Sequence, residues 1–335
     1  MQQLNWQRFA QQIAAASKIV LTAHHRPDGD CIGSELAMYH MLVQLGKDVC
    51  IINPHKTPPT LAFLDPDNII RPLEELNDED KKRFDAADLI LVLDTSTWQQ
   101  LGDMAPLFKA SPATKMVLDH HVKGDDIGAD VFFDDEAEAT GTLVACCAEA
   151  LGIPLTKEIA DPIFTAIATD TGWFRFSSVT SETFTAAAKL IDAGTRPDDL
   201  YRELHEQESL GRVRLIGRTL AKTESLLDGQ FLVTSIRLED FDAAGAKSSD
   251  SEDIINVLLT VKGSKMAVLI SELRDKTFKV SFRSRCEVDC CVLAKQFGGG
   301  GHQKAAGASF NTSFEETKKT VIDAVLKSLA AIHVI

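Results

Sequence analysis

The stretch KIVLTAHHRPDGD, Lys18 to Asp30, runs from five residues of strand character into a loop dense in ionisable side chains. Lys18 to Thr22 is short, apolar and rich in β-branched residues, as a buried strand is. His24, Asp28 and Asp30 follow at once, and Pro27 and Gly29 can bend the loop so that the three converge. Ile32 to Leu45 then has the spacing of an amphipathic helix closed by Gly46, and Val49 to Asn53 reads as a second strand.

The same alternation continues outward. Leu89 to Leu93 and Lys115 to Leu118 are strand-like, each ending at an aspartate, Asp94 and Asp119. Ala139 to Leu151 and Ile159 to Thr169 have helical patterns. Strands alternating with helices predict an α/β domain: a mostly parallel sheet covered by helices, with its ligands at the carboxyl ends of the strands. This catalytic part is expected over 1–190. From about 183 to 227 the chain is charged and helical in pattern, broken at Gly194 and Pro197, and 191–225 reads as a helical connector. From Phe231 the pattern changes to strands at 231–237, 266–273 and 277–283, then a helix at 289–297, a glycine run and a last helix at 314–332. Residues 226–335 are expected to form a smaller α+β domain.

A length of 335 residues suits two domains, and a hydrophobic fraction of 44% supports real cores. The net charge of -14 argues against gripping long nucleic acid along the surface, because phosphate neutralisation drives such binding. Any contact with nucleic acid is then local, small or metal-mediated, and a long duplex is not an expected partner. No apolar run approaches the ~18 residues of a membrane span, and no basic-then-apolar start marks a signal peptide. The seven cysteines include the adjacent pairs Cys146-Cys147 and Cys290-Cys291 and fit neither a disulfide framework nor a zinc knuckle. They read as reduced, mostly buried thiols of a cytoplasmic protein.

Four segments carry metal-type ligands: His24 with Asp28 and Asp30, then Asp94, then Asp119-His120-His121, then Asp170 in Ala168-Thr169-Asp170-Thr171-Gly172. Taken singly, each is what a helix cap, a turn or a structural histidine would use. Together they place carboxylates and imidazoles along one edge of the expected sheet, where unpaired aspartates would repel one another. Two divalent ions remove that repulsion, with Asp28, Asp30, Asp94 and Asp170 supplying four negative charges against four positive. Oxygen-rich ligands with some imidazole suit manganese or magnesium better than structural zinc.

A second constellation lies near the C-terminus: Ser281-Phe282-Arg283-Ser284-Arg285, then Gly298-Gly299-Gly300-Gly301-His302. Consecutive glycines let backbone N–H groups face one oxyanion, Arg283 can hold a phosphate bidentately, and His302 adds a donor. A flexible glycine loop before a turn would need none of these companions.

In order and over nearly the whole chain, these motifs resemble the DHH phosphoesterases. The glycine run with His302 resembles the DHH-associated C-terminal domain of the first type. The size, without further domains, is similar to the nanoRNase class of bacterial oligoribonucleases that also dephosphorylate 3'-phosphoadenosine-5'-phosphate (pAp). The resemblance implies a metal-dependent enzyme hydrolysing short RNA or DNA, di- to pentanucleotides, and pAp. It implies two divalent ions: manganese, with magnesium or cobalt as substitutes. His24, Asp28 and Asp94 would hold one ion. Asp30, Asp94, His120 and Asp170 would hold the other, with Asp94 bridging. Asp119 would orient a neighbouring imidazole, and His121 would sit beside the reacting phosphate. Arg283, Gly299, Gly300, Gly301 and His302 would bind the substrate's phosphates. A homodimer is compatible with these expectations.

Other readings share part of this pattern. A family II pyrophosphatase has the metal motifs without the glycine run. A linear or cyclic dinucleotide phosphodiesterase shares both parts but usually adds membrane and sensory segments. A RecJ-like exonuclease would need extra DNA-binding domains and a more basic surface. A non-catalytic nucleotide-binding regulator would be expected to have lost a ligand, and none is missing.

Overall fold

The computed structural model describes residues 4–122 and 124–332. The chain divides into two compact units, residues 1–207 and 208–335. The first contains a six-stranded sheet of β1 (Lys18–Thr22), β2 (Asp48–Asn53), β3 (Ile70–Pro72), β4 (Leu89–Leu93), β5 (Thr114–Asp119) and β6 (Asp130–Phe133). Their order is β3-β2-β1-β4-β5-β6, and every pairing is parallel. The strands run outward from β1 to one side, then return beside it at β4. In such sheets this reversal opens a crevice at the carboxyl ends of the strands. Both faces are covered: β4, whose five residues are all buried, packs Leu89, Leu91 and Leu93 into one core and Ile90 and Val92 into another. A strand with no exposed face is why LILVL carries no polar alternation.

The four central strands lie where the apolar runs predict them. Edge strands β3 and β6 carry no comparable signal: β3 is three residues ending in Pro72, and β6 begins at Asp130 in an acidic stretch. The helix expected from Ile32 begins earlier and spans Gly29–Gln44. Asp28 is its N-cap, so Asp30 sits in the first helical turn rather than in a loop. Further helices at Thr140–Leu151 and Lys157–Asp170 pack against it.

The second unit has a mixed six-stranded sheet. It comprises β7 (Glu224–Leu226), β8 (Phe231–Ile236), β9 (Met266–Glu272), β10 (Phe278–Ser284), β11 (Gly300–His302) and β12 (Ala305–Phe310), in the order β11-β12-β10-β9-β8-β7. The β8–β9 pairing is parallel and the others antiparallel. One face buries Phe278, Val280 and Phe282 with Val321, Val325 and Leu329 of the Phe314–Ile332 helix. The segment 191–225 is largely helical, and the boundary between the units falls inside it. The Pro197–His205 helix belongs to the first unit and the Leu210–Ala221 helix to the second. Among the described residues no helix is long and apolar enough to cross a membrane.

Candidate metal centre

The carboxyl ends of β1, β4 and β5 bring the predicted residues of the first unit together. His24 follows β1; its Nδ1 donates to the carbonyl of His25 at 2.9 Å. That bond turns Nε2 inward, 3.3 Å from Asp94 Oδ2 and 3.8 Å from Asp28 Oδ1. Asp28 Oδ1 accepts the N–H groups of Asp30 and Cys31, each at 3.1 Å, as an N-cap does. Asp30 is fully enclosed, and the first N–H groups of the Thr140–Leu151 helix hold it. Thr140 donates at 2.7 Å and Gly141 at 2.8 Å. A helix N-terminus favours a carboxylate there.

Asp94 occupies the central position. Its φ of 63° lies in the left-handed region that non-glycine residues seldom adopt, and the residue is 2% exposed. Oδ2 faces His24, while Oδ1 accepts the Thr140 hydroxyl at 2.9 Å and lies 3.7 Å from the Nε2 of His120. One carboxylate thus presents an oxygen to each half of the cluster.

His120 provides the clearest test of whether an ion fits. Its Nδ1 donates to the carbonyl of Ala137 at 3.1 Å. Its Nε2 is buried with no hydrogen-bond partner. Yet that atom sits 3.7 Å from Asp30 Oδ2, 3.7 Å from Asp94 Oδ1 and 3.6 Å from Asp170 Oδ2. A ring nitrogen left unpaired among three acceptors has the arrangement of a metal ligand whose other nitrogen is fixed by a carbonyl. Three groups have donor atoms close enough to hold an ion: His24, Asp28 and Asp94; Asp30, His120 and Asp170; and Asp94, His120 and His121.

The electrostatics agree. Burial pulls the His24 imidazole down, but hydrogen bonds to Asp28 and Asp94 more than reverse this and raise its pKa to about 11. Burial and the charges of Asp94 and Asp170 drive Asp30 well above the carboxylate range. The cluster is short of positive charge, which divalent cations would supply.

His121 stands at the rim of the cluster, its side chain more than half exposed. Its Nδ1 is 2.9 Å from Asp119 Oδ1, and that hydrogen bond, against some burial, raises its pKa to about 8. Asp119 is itself buried, yet hydrogen bonds from the ring and backbone of His121 hold it below its ordinary value. His121 Nδ1 also lies 3.7 Å from Asp94 Oδ1. A hollow of about 210 Å³ opens over the cluster, lined by His24, Asp94, His121 and Asp170 among others. That is small beside the roughly 300–1,000 Å³ of ordinary ligand pockets.

Two contributions escape sequence reasoning. Thr140, Gly141 and Ala137 act through a hydroxyl, an N–H and a carbonyl, for which no side-chain pattern exists. Glu35 is a wholly buried carboxylate in the Gly29–Gln44 helix. Burial is the main cause lifting its pKa to about 8, partly offset by the Asn53 amide at 2.7 Å. The folded chain therefore retains a proton there that an unfolded chain releases near 4.5. This contribution to stability is full below the unfolded value and is lost as pH rises through about 8. Glu35→Gln, uncharged and of the same shape, is expected to flatten the fall in Tm of the metal-free protein between about pH 5 and 8. Thermal unfolding across that range checks it; a pH profile parallel to the native chain's would rule out the buried proton.

In the second unit, Arg283 and His302 both pair with Ala305, one from each flanking strand, so their side chains share a face. Arg283 lines a cleft of about 1170 Å³ with Lys279 and Ser281. The glycine run is only partly a loop. The N–H groups of Gly298 and Gly299 are committed to carbonyls of Lys295 and Ala294, and Gly300 and Gly301 lie in β11. A Cβ on Gly299 would come within 2.2 Å of the Gly307 carbonyl, and one on Gly301 within 2.6 Å of the Ala305 carbonyl. Close backbone packing is thus one reason for glycine here. Gly300 has open space around it.

A parallel sheet bearing this acidic and imidazole cluster, joined to a second α+β unit, is the arrangement of the DHH family, and the chain belongs to it: a metal-dependent phosphoesterase. The model of the DHH family, N-terminal domain, matches residues 18–167, and that of the DHHA1 domain matches 228–331. A Thermus thermophilus protein named bifunctional oligoribonuclease and PAP phosphatase NrnA is 33% identical over 318 residues, 94% of this chain and 91% of that protein. A Bacillus subtilis protein of the same name is 27% identical, covering 96% of this chain and 97% of its own. An exopolyphosphatase-related protein from Bacteroides fragilis superposes with a TM-score of 0.79 at 28% identity, covering 99% and 98% of the two chains.

Proposed function

We propose that this chain is a cytoplasmic two-metal phosphoesterase that hydrolyses di- to pentanucleotides to mononucleotides and dephosphorylates pAp. The carrying observation is the unpartnered Nε2 of His120 among three carboxylates, with a second group of ligand atoms sharing Asp94. The names of the relatives, which cover nearly the whole chain, support the substrate class. His24, Asp28 and Asp94 would hold one ion, and Asp30, Asp94, His120 and Asp170 the other. The oxygen-rich set with imidazole suits manganese or magnesium, and the family resemblance favours manganese.

Bound there, two such ions would supply Lewis-acid chemistry, activating water near neutral pH and stabilising charge on the phosphoryl group. The remaining work belongs to side chains. Asp119 fixes the His121 ring through Nδ1, leaving its Nε2 to meet the phosphoryl oxygens or give a proton to the leaving oxygen. Asp30 and Asp94 are held by Thr140 and Gly141 before any substrate arrives, so the ligands need no rearrangement. Arg283, His302 and the backbone of Gly299, Gly300 and Gly301 would bind a further phosphate of the substrate.

The decisive experiment gives the purified protein, with manganese, pAp, di- to pentanucleotides, a long single strand, a cyclic dinucleotide and pyrophosphate in parallel. Turnover is expected to fall as the chain lengthens beyond a few nucleotides. Rapid processive loss of the long strand, or preference for pyrophosphate, would overturn the reading. Arg283→Ala is expected to lower kcat/KM for oligonucleotides and pAp roughly ten- to a hundred-fold, since a charge-assisted phosphate contact is worth ~1.5–3 kcal/mol. Metal content should stay unchanged, and elemental analysis alongside the kinetics checks both.

A further inference from the structure

The turn after Asp170 is more contorted than holding a carboxylate requires. Gly172, Trp173 and Phe174 have φ of 56°, 60° and 61°, three left-handed residues in succession, two of them bulky aromatics. Hydrogen bonds hold the conformation. Trp173 N–H donates to the Ala168 carbonyl at 2.6 Å and Phe174 N–H to the Thr171 hydroxyl at 3.0 Å. Arg175 and Phe176 N–H both donate to the Thr171 carbonyl, at 3.0 and 3.1 Å. The turn sorts its side chains. Trp173 packs with Phe164, Tyr201 and His205, and Phe174 with Phe164 and Phe184.

Arg175 and Phe176 stay outside. The Phe176 ring lies over Gly172, where an added Cβ would come within 2.4 Å of it, and the residue is still 54% exposed. Arg175 is exposed, its Nε donating to the Gly172 carbonyl at 2.6 Å, and among the described residues no carboxylate is paired with it. An open aromatic face and an uncompensated guanidinium are thus fixed one hydrogen bond from the neighbour of Asp170.

We propose that Phe176 is the stacking platform for the base of the nucleotide being cleaved, with Arg175 meeting a phosphate of that nucleotide. The inference rests on the nucleotide phosphoesterase reading above and names the part of the site that recognises the base. The hollow over the cluster, at about 210 Å³, is smaller than ordinary ligand pockets of roughly 300–1,000 Å³, so a nucleotide whose phosphate sits there extends beyond it. Phe176 is an exposed aromatic six residues from Asp170. Stacking on a ring is indifferent to base identity, which suits an enzyme that finishes short fragments of any sequence. The left-handed turn is what faces Phe176 outward while Trp173 and Phe174 anchor it.

The test compares kcat/KM of the full-length manganese-loaded protein on pAp and on ribose 3',5'-bisphosphate, the same molecule without its base. The native chain is expected to prefer pAp. Phe176→Ala should lower kcat/KM for pAp about 5- to 100-fold and change the base-free compound far less, so that the preference collapses. Phe176→Trp, which keeps the ring and guards against a folding defect, should retain the preference. Arg175→Ala should lower kcat/KM for both. A native enzyme indifferent to the base, or a Phe176→Ala loss equal on both compounds, overturns the stacking role and leaves the phosphoesterase reading standing. A native enzyme inactive on pAp, on its base-free analogue and on oligonucleotides would overturn that reading as well.

Discussion

Asp94→Ala is expected to abolish metal binding and turnover together. No other side chain in the cluster offers one oxygen to the His24 side and the other to the His120 side. Removing it should therefore strip both positions, whereas losing Asp28 or Asp170 should leave one ion in place. Alanine also has to adopt the positive φ of this position, which costs on the order of 1–2 kcal/mol, so part of the effect would be on stability. Asp94→Asn separates the two, because asparagine tolerates a left-handed backbone and removes only the charge. Elemental analysis should find the alanine variant without metal, with hydrolysis at the uncatalysed background. Two tightly bound ions in that variant would sink the bridging assignment. In the native chain, a chelator should abolish turnover and manganese restore it.

His121→Ala should lower kcat by orders of magnitude while leaving metal content nearly unchanged, and His120→Ala should lose one ion. Adjacent in sequence, the two rings are held differently. His120 points a buried, unpartnered nitrogen at three carboxylates, with its other nitrogen tied to Ala137. His121 spends its Nδ1 on Asp119 and stands more than half exposed. A group that assists the transition state without holding ground-state partners shows its loss in kcat. Equal metal loss in both variants would mean that His121 is a ligand, an outcome its 3.7 Å approach to Asp94 makes worth measuring.

Much of this was legible because the signals are local. Four strands announce themselves as apolar runs, and Asp94 and Asp119 stand where ligands collect in a parallel sheet. Asp30 was harder. Its companions Pro27 and Gly29 resemble turn formers, yet Asp28 caps a helix that starts at Gly29 and places Asp30 in its first turn. The holders of Asp30 and Asp94, Thr140 and Gly141, are more than forty residues away in sequence and act through a helix terminus whose position is decided by tertiary packing. Glu35 hides inside an amphipathic pattern, since nothing in its neighbours says that this turn of helix is buried all round. The glycine run reads as a phosphate nest, and its pairing was not legible: Gly300 and Gly301 join a strand beside β12, where Gly301 leaves no room for a Cβ.

Gly29, Gly33 and Gly141 bear on how the ligands are spaced. A methyl group on Gly29 would fall 2.4 Å from the Thr169 hydroxyl, one on Gly33 2.3 Å from the Pro162 carbonyl, and one on Gly141 2.5 Å from the Ala166 side chain. These are the seams where the Gly29–Gln44 and Thr140–Leu151 helices lie against the Lys157–Asp170 helix. Asp30 rides on the first of the three, its backbone clamp on the second, and Asp170 ends the third. The gap in which an ion would sit is therefore a gauge cut by bare helix surfaces. Selectivity among divalent ions, whose preferred bond lengths differ by tenths of an ångström, would be tuned by the bulk at these three seams as much as by the ligands themselves.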